Sequence, residues 1–499
     1  MNYSVVIRED INEILEKHLI RLDGQEDLCF ALYTIYNGKN RTTGLINKLI
    51  LPEHGDRNIH GNVSFNPNYL NRVIEIALKE GKGIAFIHSH PSSGWQNMSD
   101  DDVNTERMLA PRAKAVIGVP LLGMTLGNDG AWSARFWTKY KPRTYSCSWC
   151  ESVRIVGNKY LVTYNDKLLI PPSFNEEFMR TISAWGENQQ SKLARIRVGI
   201  VGLGSVGSQI SEALIRTGLE NVSLIDFDTI EKRNLDRLPR VRKDDVGYLK
   251  SDYYSRYLEE IKLNSSQSIR SLPFSIAEKD GLEAILDCDV VFCCVDRPWP
   301  RFILNMIAAS CYIPVIDGGI NASYNPRKRN IEQARWRTYT SGPLRRCMKC
   351  MEQYYPEDVS LEQSGLLEDP KYISNLPPEH FANRGENVYA FSLSLASMQI
   401  QQFLSLILTP KGVYYGPKEM DFITGNIDFK FDYLCDEGCE FTQMDEMGNG
   451  IKNILIQGHE KAAQSRNKAL KYNDSIIKKV LKKLGRVNNG FKRRFNLVE

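Results

Sequence analysis

Apolar positions in the first 140 residues fall into two periods. Leu28 to Tyr36 is an apolar, β-rich run, and Asn68 to Glu80 places Leu70, Val73, Ile74, Ala77 and Leu78 at helical spacing. Gly83 to His88 predicts a short buried strand; Ala115 to Leu122 and Ala131 to Trp137 predict two more. From 141 to 175 the pattern breaks into short mixed strands around Pro142 and the pair Pro171-Pro172, which predicts a connector. A second unit opens near Phe178. Arg197 to Val201 has a buried-strand pattern and runs into a glycine-rich turn and a helical stretch through Leu214, while Val222 to Ile225 and Val290 to Val295 are further strands. Strands alternating with helices predict α/β architecture in both units. Near the end, Ile476, Ile477, Val480, Leu481 and Leu484 recur at helical spacing, with Lys478, Lys479, Lys482 and Lys483 filling the other face.

A chain of 499 residues exceeds one ordinary core. The expected division is 1–140, a connector 141–175, a second domain 176–445 and a basic helical tail 446–499. No apolar run of membrane-spanning length stands out, and Met1-Asn2-Tyr3-Ser4 lacks the start of a signal peptide, so a cytoplasmic protein with no membrane association is expected. Eleven cysteines are then thiols or metal ligands before they are disulfides. Lys461 to Glu499 holds twelve Lys and Arg against Asp474 and Glu499, a net +10, which leaves −6 for the rest of a chain of net +4. The tail is read as a surface helix docked on the body, with a partner-binding or nucleic-acid arm as the alternative. Nucleic acid is not an expected partner of the protein.

Candidate chemistry begins at His88-Ser89-His90-Pro91, followed by Ser99 and Asp102. Two histidines two apart on a strand leave by one face. A catalytic zinc takes three protein ligands and keeps a position for water. The bland alternative is a His-Pro turn before a helix N-cap at Ser99. His-x-His-Pro-x7-Ser-x2-Asp resembles the JAMM (JAB/MPN) metalloprotease motif. The resemblance implies a cytidine-deaminase-like α/β domain with a catalytic zinc on His88, His90 and Asp102. It further implies an upstream glutamate as general base, assigned to Glu26 with Asp27 as the fallback, and Ser99 as oxyanion donor.

Gly202-Leu203-Gly204-Ser205-Val206-Gly207 follows a strand and opens a helix, with Asp226 about twenty residues on. Alone this fits an NAD enzyme as well as an ATP enzyme. Asp226-Phe227-Asp228, Asn234, Arg237, Lys250 and Asp296 then follow in order, a set of cations and carboxylates suited to phosphoryl chemistry. The set resembles the Rossmann-like, mainly parallel adenylation domain of the ubiquitin-activating family, close to its ThiF/MoeB branch. The resemblance implies ATP on Gly202, Gly204 and Gly207, with Asp226 at the ribose, Asn234, Arg237 and Lys250 at the phosphates, and magnesium on Asp296. Arg180 matches an arginine that reaches a partner subunit's ATP, which implies a homodimer. Singly, Arg237 also reads as plain surface and Asp296 as a helix cap.

Cys347-Met348-Lys349-Cys350 and Cys435 to Cys439 are paired at spacings that suit a structural four-cysteine zinc, although Cys435 also reads as an unbound thiol. Residues 351–434 contain no cysteine, where thioester-forming relatives carry one, so transfer of an adenylate to another protein's thiol (such as a conjugating enzyme) or to a sulfur donor is expected. Cys147 and Cys150, in the connector, are the two read as mobile enough to react. Together the halves imply trimming or deconjugation of a ubiquitin-like or sulfur-carrier protein with a C-terminal glycine, and ATP-dependent adenylation of that tail. Such fusions are prokaryotic in style, some of them linked to phage defence, by analogy of fold alone. The alternatives are an NAD-dependent oxidoreductase with an accessory metal domain and a non-catalytic scaffold for ubiquitin-like proteins.

Overall fold

The computed structural model describes residues 1–60, 62–142, 144–325, 327–377, 380, 382, 387–409, 416–429, 434–447 and 458–472. The first unit comprises β1 (Asn2–Arg8), α1 (Glu9–Leu19), β2 (Leu28–Asn37), β3 (Arg41–Ile50), β4 (Arg57–His60), β5 (Asn62–Phe65), α2 (Pro67–Glu80), β6 (Gly83–Ser89), α3 (Asp100–Ile117), β7 (Leu121–Leu126), β8 (Trp132–Lys141), β9 (Thr144–Trp149), β10 (Ser152–Val156) and β11 (Tyr160–Tyr164). Apart from the β4–β5 hairpin, these strands form one mixed sheet in the order β11-β10-β1-β3-β2-β6-β7-β8-β9. β2 is apolar and buried from Leu28 to Tyr33 because both its faces are covered there. Leu28, Phe30 and Leu32 pack with Tyr69, Leu70 and Leu109 of α2 and α3. Cys29, Ala31 and Tyr33 share a core with Ile11, Leu15 and Leu19 of α1. The strand predicted from Ala115 starts only at Leu121. α3 runs on to Ile117, with Ala110 and Ala113 turned inward, and ends where Gly118 adopts φ 79°.

The second unit follows with α4 (Met179–Trp185), α5 (Glu187–Ala194), β12 (Arg197–Val201), α6 (Gly207–Arg216), β13 (Asn221–Ile225), α7 (Lys250–Ile261), β14 (Ser268–Leu272), α8 (Lys279–Leu286), β15 (Val290–Cys293), α9 (Pro298–Cys311), β16 (Val315–Asn325), β17 (Asn330–Ser341), α10 (Pro356–Gln363), α11 (Pro370–Ile373), α12 (Tyr389–Leu408), β18 (Lys418–Asp421), β19 (Ile427–Phe429) and α13 (Glu440–Met447). Its sheet runs β14-β13-β12-β15-β16-β17-β18-β19. The pairings from β14 to β16 are parallel and the rest antiparallel, a Rossmann-like arrangement with an antiparallel extension. By length and composition α12 is apolar enough to cross a membrane, which the sequence did not bring out. Its most apolar window is 61% buried, as in a core helix. In the basic tail the chain is helical over 460–472, and the amphipathic stretch at 476–484 lies outside the described residues.

Residues 144–164 are not a connector. β9, β10 and β11 complete the first sheet, so the boundary expected at 140 falls inside β8, which is hydrogen-bonded to β9. Each strand has only five or six residues, and β10 carries Arg154 at its centre, which disguises a buried strand. Arg154 is buried because the second unit supplies its counter-charge. Asp289 Oδ1 accepts from Arg154 Nη1 at 2.9 Å and from Arg41 Nη1 at 2.7 Å, and its Oδ2 accepts the Arg197 N–H at 3.0 Å. Around these charges the cores merge: Val6, Tyr36, Leu45, Val156 and Tyr160 pack in one cluster with Val198, Ile285, Cys288 and Tyr312. The two units are therefore one packed body rather than beads on a hinge.

Candidate active sites and metal centres

His88 lies near the C-terminal end of β6, in register with Leu28 of β2, and His90 follows the strand. Asp102 sits in the first turn of α3, locked by a capping box: Ser99 N–H donates to Asp102 Oδ2 at 2.7 Å, and Asp102 N–H donates to Ser99 Oγ at 3.1 Å. So held, Asp102 places Oδ1 3.1 Å from His88 Nε2 and Oδ2 3.3 Å from His90 Nε2, and the two Nε2 atoms are 3.3 Å apart. Nitrogen and oxygen ligands about 2.0–2.2 Å from a tetrahedral zinc are themselves separated by ~3.3 Å, so the three donors have the spacing of one tetrahedral face. Burial opposes ionisation of Asp102, yet hydrogen bonds from His88 and His90 outweigh it and hold its carboxyl far below the usual range. Glu26 is half-buried and faces the same group. Burial pushes its carboxyl above its ordinary value, against the pull of His90 and His88.

The fallback base Asp27 is engaged elsewhere. It is buried, pairs with Arg57 Nε at 2.6 Å, and accepts the Leu28 N–H at 2.8 Å. Ser99 is exposed, and acting as the acceptor in the cap leaves it one O–H to donate. The sequence missed what stands behind His88. Thr125 Oγ1 is 3.4 Å from His88 Nε2 and accepts from Arg135 Nη1 at 2.6 Å, and Arg135 is paired with Glu106, both fully buried. The three lie on β7, β8 and α3, with no spacing that links them along the chain.

In the second unit the glycine turn leaves β12 with Gly202 at φ 91°. A Cβ on Gly202 would lie 2.6 Å from the Cys294 carbonyl oxygen, and one on Gly207 would lie 1.9 Å from that of Gly202. Gly204 differs: a Cβ there meets nothing within 4 Å, so the protein's own packing does not require glycine, as expected where backbone approaches a phosphate. Asp226, at the end of β13, ties the turn down by accepting the Leu203 N–H at 2.6 Å and the Asp228 N–H at 2.7 Å. Lys250 opens α7 with Nζ 3.0 Å from Asp228 Oδ2. Burial alone would lower its ammonium, but Asp226, Asp228 and Asp296 together push it up to about 12. Asp228 belongs to this cluster, although the sequence assigned it no role.

Asp296 lies exposed beyond the end of β15 and does not cap α9. The cap is supplied by Glu362 of α10, which accepts the Trp299 N–H at 2.8 Å. Asn234 and Arg237 serve their own turn: Asn234 Oδ1 accepts the Glu231 N–H at 3.0 Å, and Arg237 Nη1 donates to the Arg233 carbonyl at 2.6 Å and to Asp236 at 3.0 Å. Arg180 is exposed on α4. No motif announced the last feature of this rim. His459 packs on Phe227 and Trp299, Lys461 reaches Glu368 at 3.3 Å, and Arg466 grips Glu278 with two nitrogens.

Cys347, Cys350, Cys435 and Cys439 converge with all four Sγ atoms within 4.8 Å of one another. The Cys347–Cys439 and Cys350–Cys439 Sγ separations are 3.8 and 3.6 Å. Four thiolates on one zinc at about 2.3 Å lie ~3.8 Å apart, so the donors fit that metal. The hydrogen bond with Cys347 pushes the Cys435 thiol down to about 5, toward the ligating thiolate. By contrast, Cys147 is half-buried within β9 and Cys150 fully buried. Burial raises both thiols, Cys147 to about 11, so neither is the mobile nucleophile expected in a connector.

A family model described as the ThiF family matches residues 178–428. The adenylyltransferase and sulfurtransferase UBA4 of Meyerozyma guilliermondii is 29% identical over 193 residues, covering 37% of this chain and 42% of the relative. SUMO-activating enzyme subunit 2 of Dictyostelium discoideum is 25% identical over 175 residues, covering 34% and 25%. The chain thus spans less than half the length of either relative. Among solved structures, Escherichia coli MccB with ATP aligns at TM-score 0.40 and 20% identity, covering 54% of this chain and 74% of that one.

Proposed function

The chain belongs to the ThiF family, and from that premise we propose that it adenylates the C-terminal carboxylate of a ubiquitin-like or sulfur-carrier protein with ATP, and that its first unit hydrolyses an amide bond at the same kind of tail. The observation that carries the first half is the placement of Lys250 among Asp226, Asp228 and Asp296 beside a glycine turn whose Gly204 borders open space. ATP lies with its phosphates along the turn, opposite Lys250, and its ribose at Asp226. Asp296 would hold magnesium, which would supply positive charge against the departing pyrophosphate. Arg237 and Asn234 are assigned to the phosphates and Arg180 to the site of a second copy in a homodimer, as the family resemblance implies. A hydride-transfer enzyme has no use for a buried lysine between carboxylates, which places the oxidoreductase alternative behind this one.

The hydrolytic half is supported by the convergence of His88, His90 and Asp102 with Glu26 beside them. A zinc there would supply Lewis acidity and acidify a water at neutral pH. Glu26 takes the proton of the attacking water and returns it to the leaving amine, and the Ser99 hydroxyl donates to the developing oxyanion. Cys347, Cys350, Cys435 and Cys439 would hold a structural zinc that ties the β17–α10 segment to α13. None of the eleven cysteines is in a disulfide, and a cytoplasmic setting is part of this reading.

ATP–pyrophosphate exchange with a small ubiquitin-like protein ending in diglycine tests the first half. Exchange should depend on that tail and fall roughly tenfold to a hundredfold in Asp296→Ala, the loss of one charge-assisted contact of about 1.5–3 kcal/mol. Exchange indifferent to the tail, or unaltered by the substitution, would sink it. Elemental analysis tests the metals: two zinc per chain in the wild type, one in Asp102→Ala and one in Cys350→Ser. A wild type holding a single zinc would remove one of the two centres.

A further inference from the structure

The tail helix at 460–472 turns one face to the second unit. Ala462, Arg466, Ala469 and Tyr472 recur three or four positions apart, so they share a face, and both alanines are buried. His459 precedes the helix and starts it: its Nδ1 accepts the Ala462 N–H and its carbonyl the Ala463 N–H, each at 3.1 Å. So fixed, its ring lies 4.8 Å from that of Phe227 and 5.5 Å from that of Trp299, within 20° of parallel to the latter. Phe227 stands between Asp226 and Asp228, just after β13, and Trp299 lies in the first turn of α9, just after β15. β13 and β15 flank β12 in the sheet, and β12 ends in the glycine turn. The strand order reverses here, and the crevice beyond the carboxyl ends of such strands is where an open α/β sheet takes its ligand. One imidazole therefore joins the two sides of that crevice.

Further anchors follow along the rim. Lys461 meets both oxygens of Glu368 at 3.3 Å, and Glu368 also takes Arg297 at 3.0 Å. Arg466 donates to the Pro273 carbonyl at 2.9 Å, just past β14, and to the two oxygens of Glu278 at 2.9 and 2.6 Å, with its guanidinium over the Phe274 ring. At the far end Tyr472 packs on Tyr248, just before Lys250, and a Cβ on Gly247 would lie 3.1 Å from its ring. None of these anchors is Asp226, Lys250 or Asp296, so the helix crosses the site rather than filling it. It is near them all the same. Burial opposes ionisation of Asp228, and Lys250, then Lys461 and Arg297, hold its carboxyl below the ordinary value. We propose that residues 459–472 are a strap across the nucleotide site, which ATP must pass to enter and to leave. Resting on the function proposed above, the strap opens when Arg466 lets go and recloses over the bound nucleotide. Each rate then scales with the fraction of time the strap is open, so a weakened anchor raises both rates alike and leaves affinity in place.

The test follows a fluorescent ATP analogue with magnesium by stopped flow, using full-length wild type, Arg466→Ala and Tyr472→Ala. Losing the paired, charge-assisted bonds from Arg466 to Glu278 should speed association and dissociation roughly tenfold each. The backbone amides of 460–472 should exchange hydrogen faster in the same variant, as expected of a segment opening more often. Tyr472→Ala, at the other end of the strap, should move both rates in the same direction by a smaller factor, which guards against a local defect at Arg466. Association within about twofold of the wild type in both variants would overturn the strap, and so would hydrogen exchange over 460–472 that is no faster in Arg466→Ala. Failure of the proposed function reads differently. A wild type that binds no ATP, or binds it without tail-dependent pyrophosphate exchange, counts against adenylation, and the amides of 460–472 still report on the strap.

Discussion

For the proposed hydrolysis, replacing Glu26 with glutamine is expected to slow cleavage of an extended ubiquitin-like tail by about 10²- to 10⁴-fold, the range for losing a positioned general base. The side chain is half-buried beside His88, His90 and Asp102, and burial raises its carboxyl above the ordinary value. Glutamine keeps the shape and a hydrogen-bonding oxygen but takes no proton, so the attacking water and the leaving amine both lose their proton carrier. Because Glu26 is outside the donor triangle, zinc content should stay at the wild-type value, whereas Asp102→Ala loses metal and activity together. Cleavage rate and bound zinc, measured on the same preparation, check this. A Glu26→Gln enzyme cleaving within threefold of the wild type would remove Glu26 as the base, and the carboxylate next in sequence could not replace it, since Asp27 is already bound to Arg57.

Asp289→Ala will destabilise the whole molecule by about 3–5 kcal/mol, the cost of stripping the counter-charge from a buried ion cluster. Arg41 and Arg154 are essentially unexposed, and Asp289 is their shared acceptor at 2.7 and 2.9 Å. After the substitution Arg41 keeps the Cys288 carbonyl at 2.9 Å and Glu151 at 3.6 Å, while Arg154 keeps only hydroxyls at 3.3 and 3.4 Å. Burial opposes charge on Asp289, but Arg41 and Arg154 prevail and lower its carboxyl below the usual 3.8. The linkage sign follows. A depressed folded value contributes stability above the unfolded value, and that contribution disappears as pH falls through the folded one. Urea unfolding near neutral pH should show a lower midpoint in Asp289→Ala, and the gap from the wild type should close in acid. An unchanged midpoint would mean that the junction is held by its apolar core alone.

The legible parts of this protein are those whose requirements are local. A His-x-His pair with a cap-bound aspartate twelve residues on describes a strand, a turn and the first turn of a helix, and capping chemistry is written in adjacent residues. The glycine turn is legible because Gly202 needs a positive φ and Gly207 leaves no room for a Cβ, and both demands arise within the turn and the strand beside it. The two cysteine pairs announce a tetrahedral centre by their spacing, since four sulfurs on short turns have few other reasons to be so placed.

The opaque parts depend on partners distant in the chain. Arg154 reads as a surface residue until Asp289, 135 positions away, neutralises it, so from sequence β10 reads as part of a connector. Cys147 and Cys150 lost their apparent mobility for the same reason, because strand pairing with β8 and burial, not composition, decide a thiol's reactivity. His459 joined the nucleotide rim with no motif to mark it, through contacts with Phe227 and Trp299. By itself the sequence determined which chemistries are present and the local geometry of each donor set, because bond lengths, strand period and glycine's freedom act over a few residues. Only the tertiary structure decided that the two units act as one body, because a buried charge is stable only where the fold brings its counter-charge.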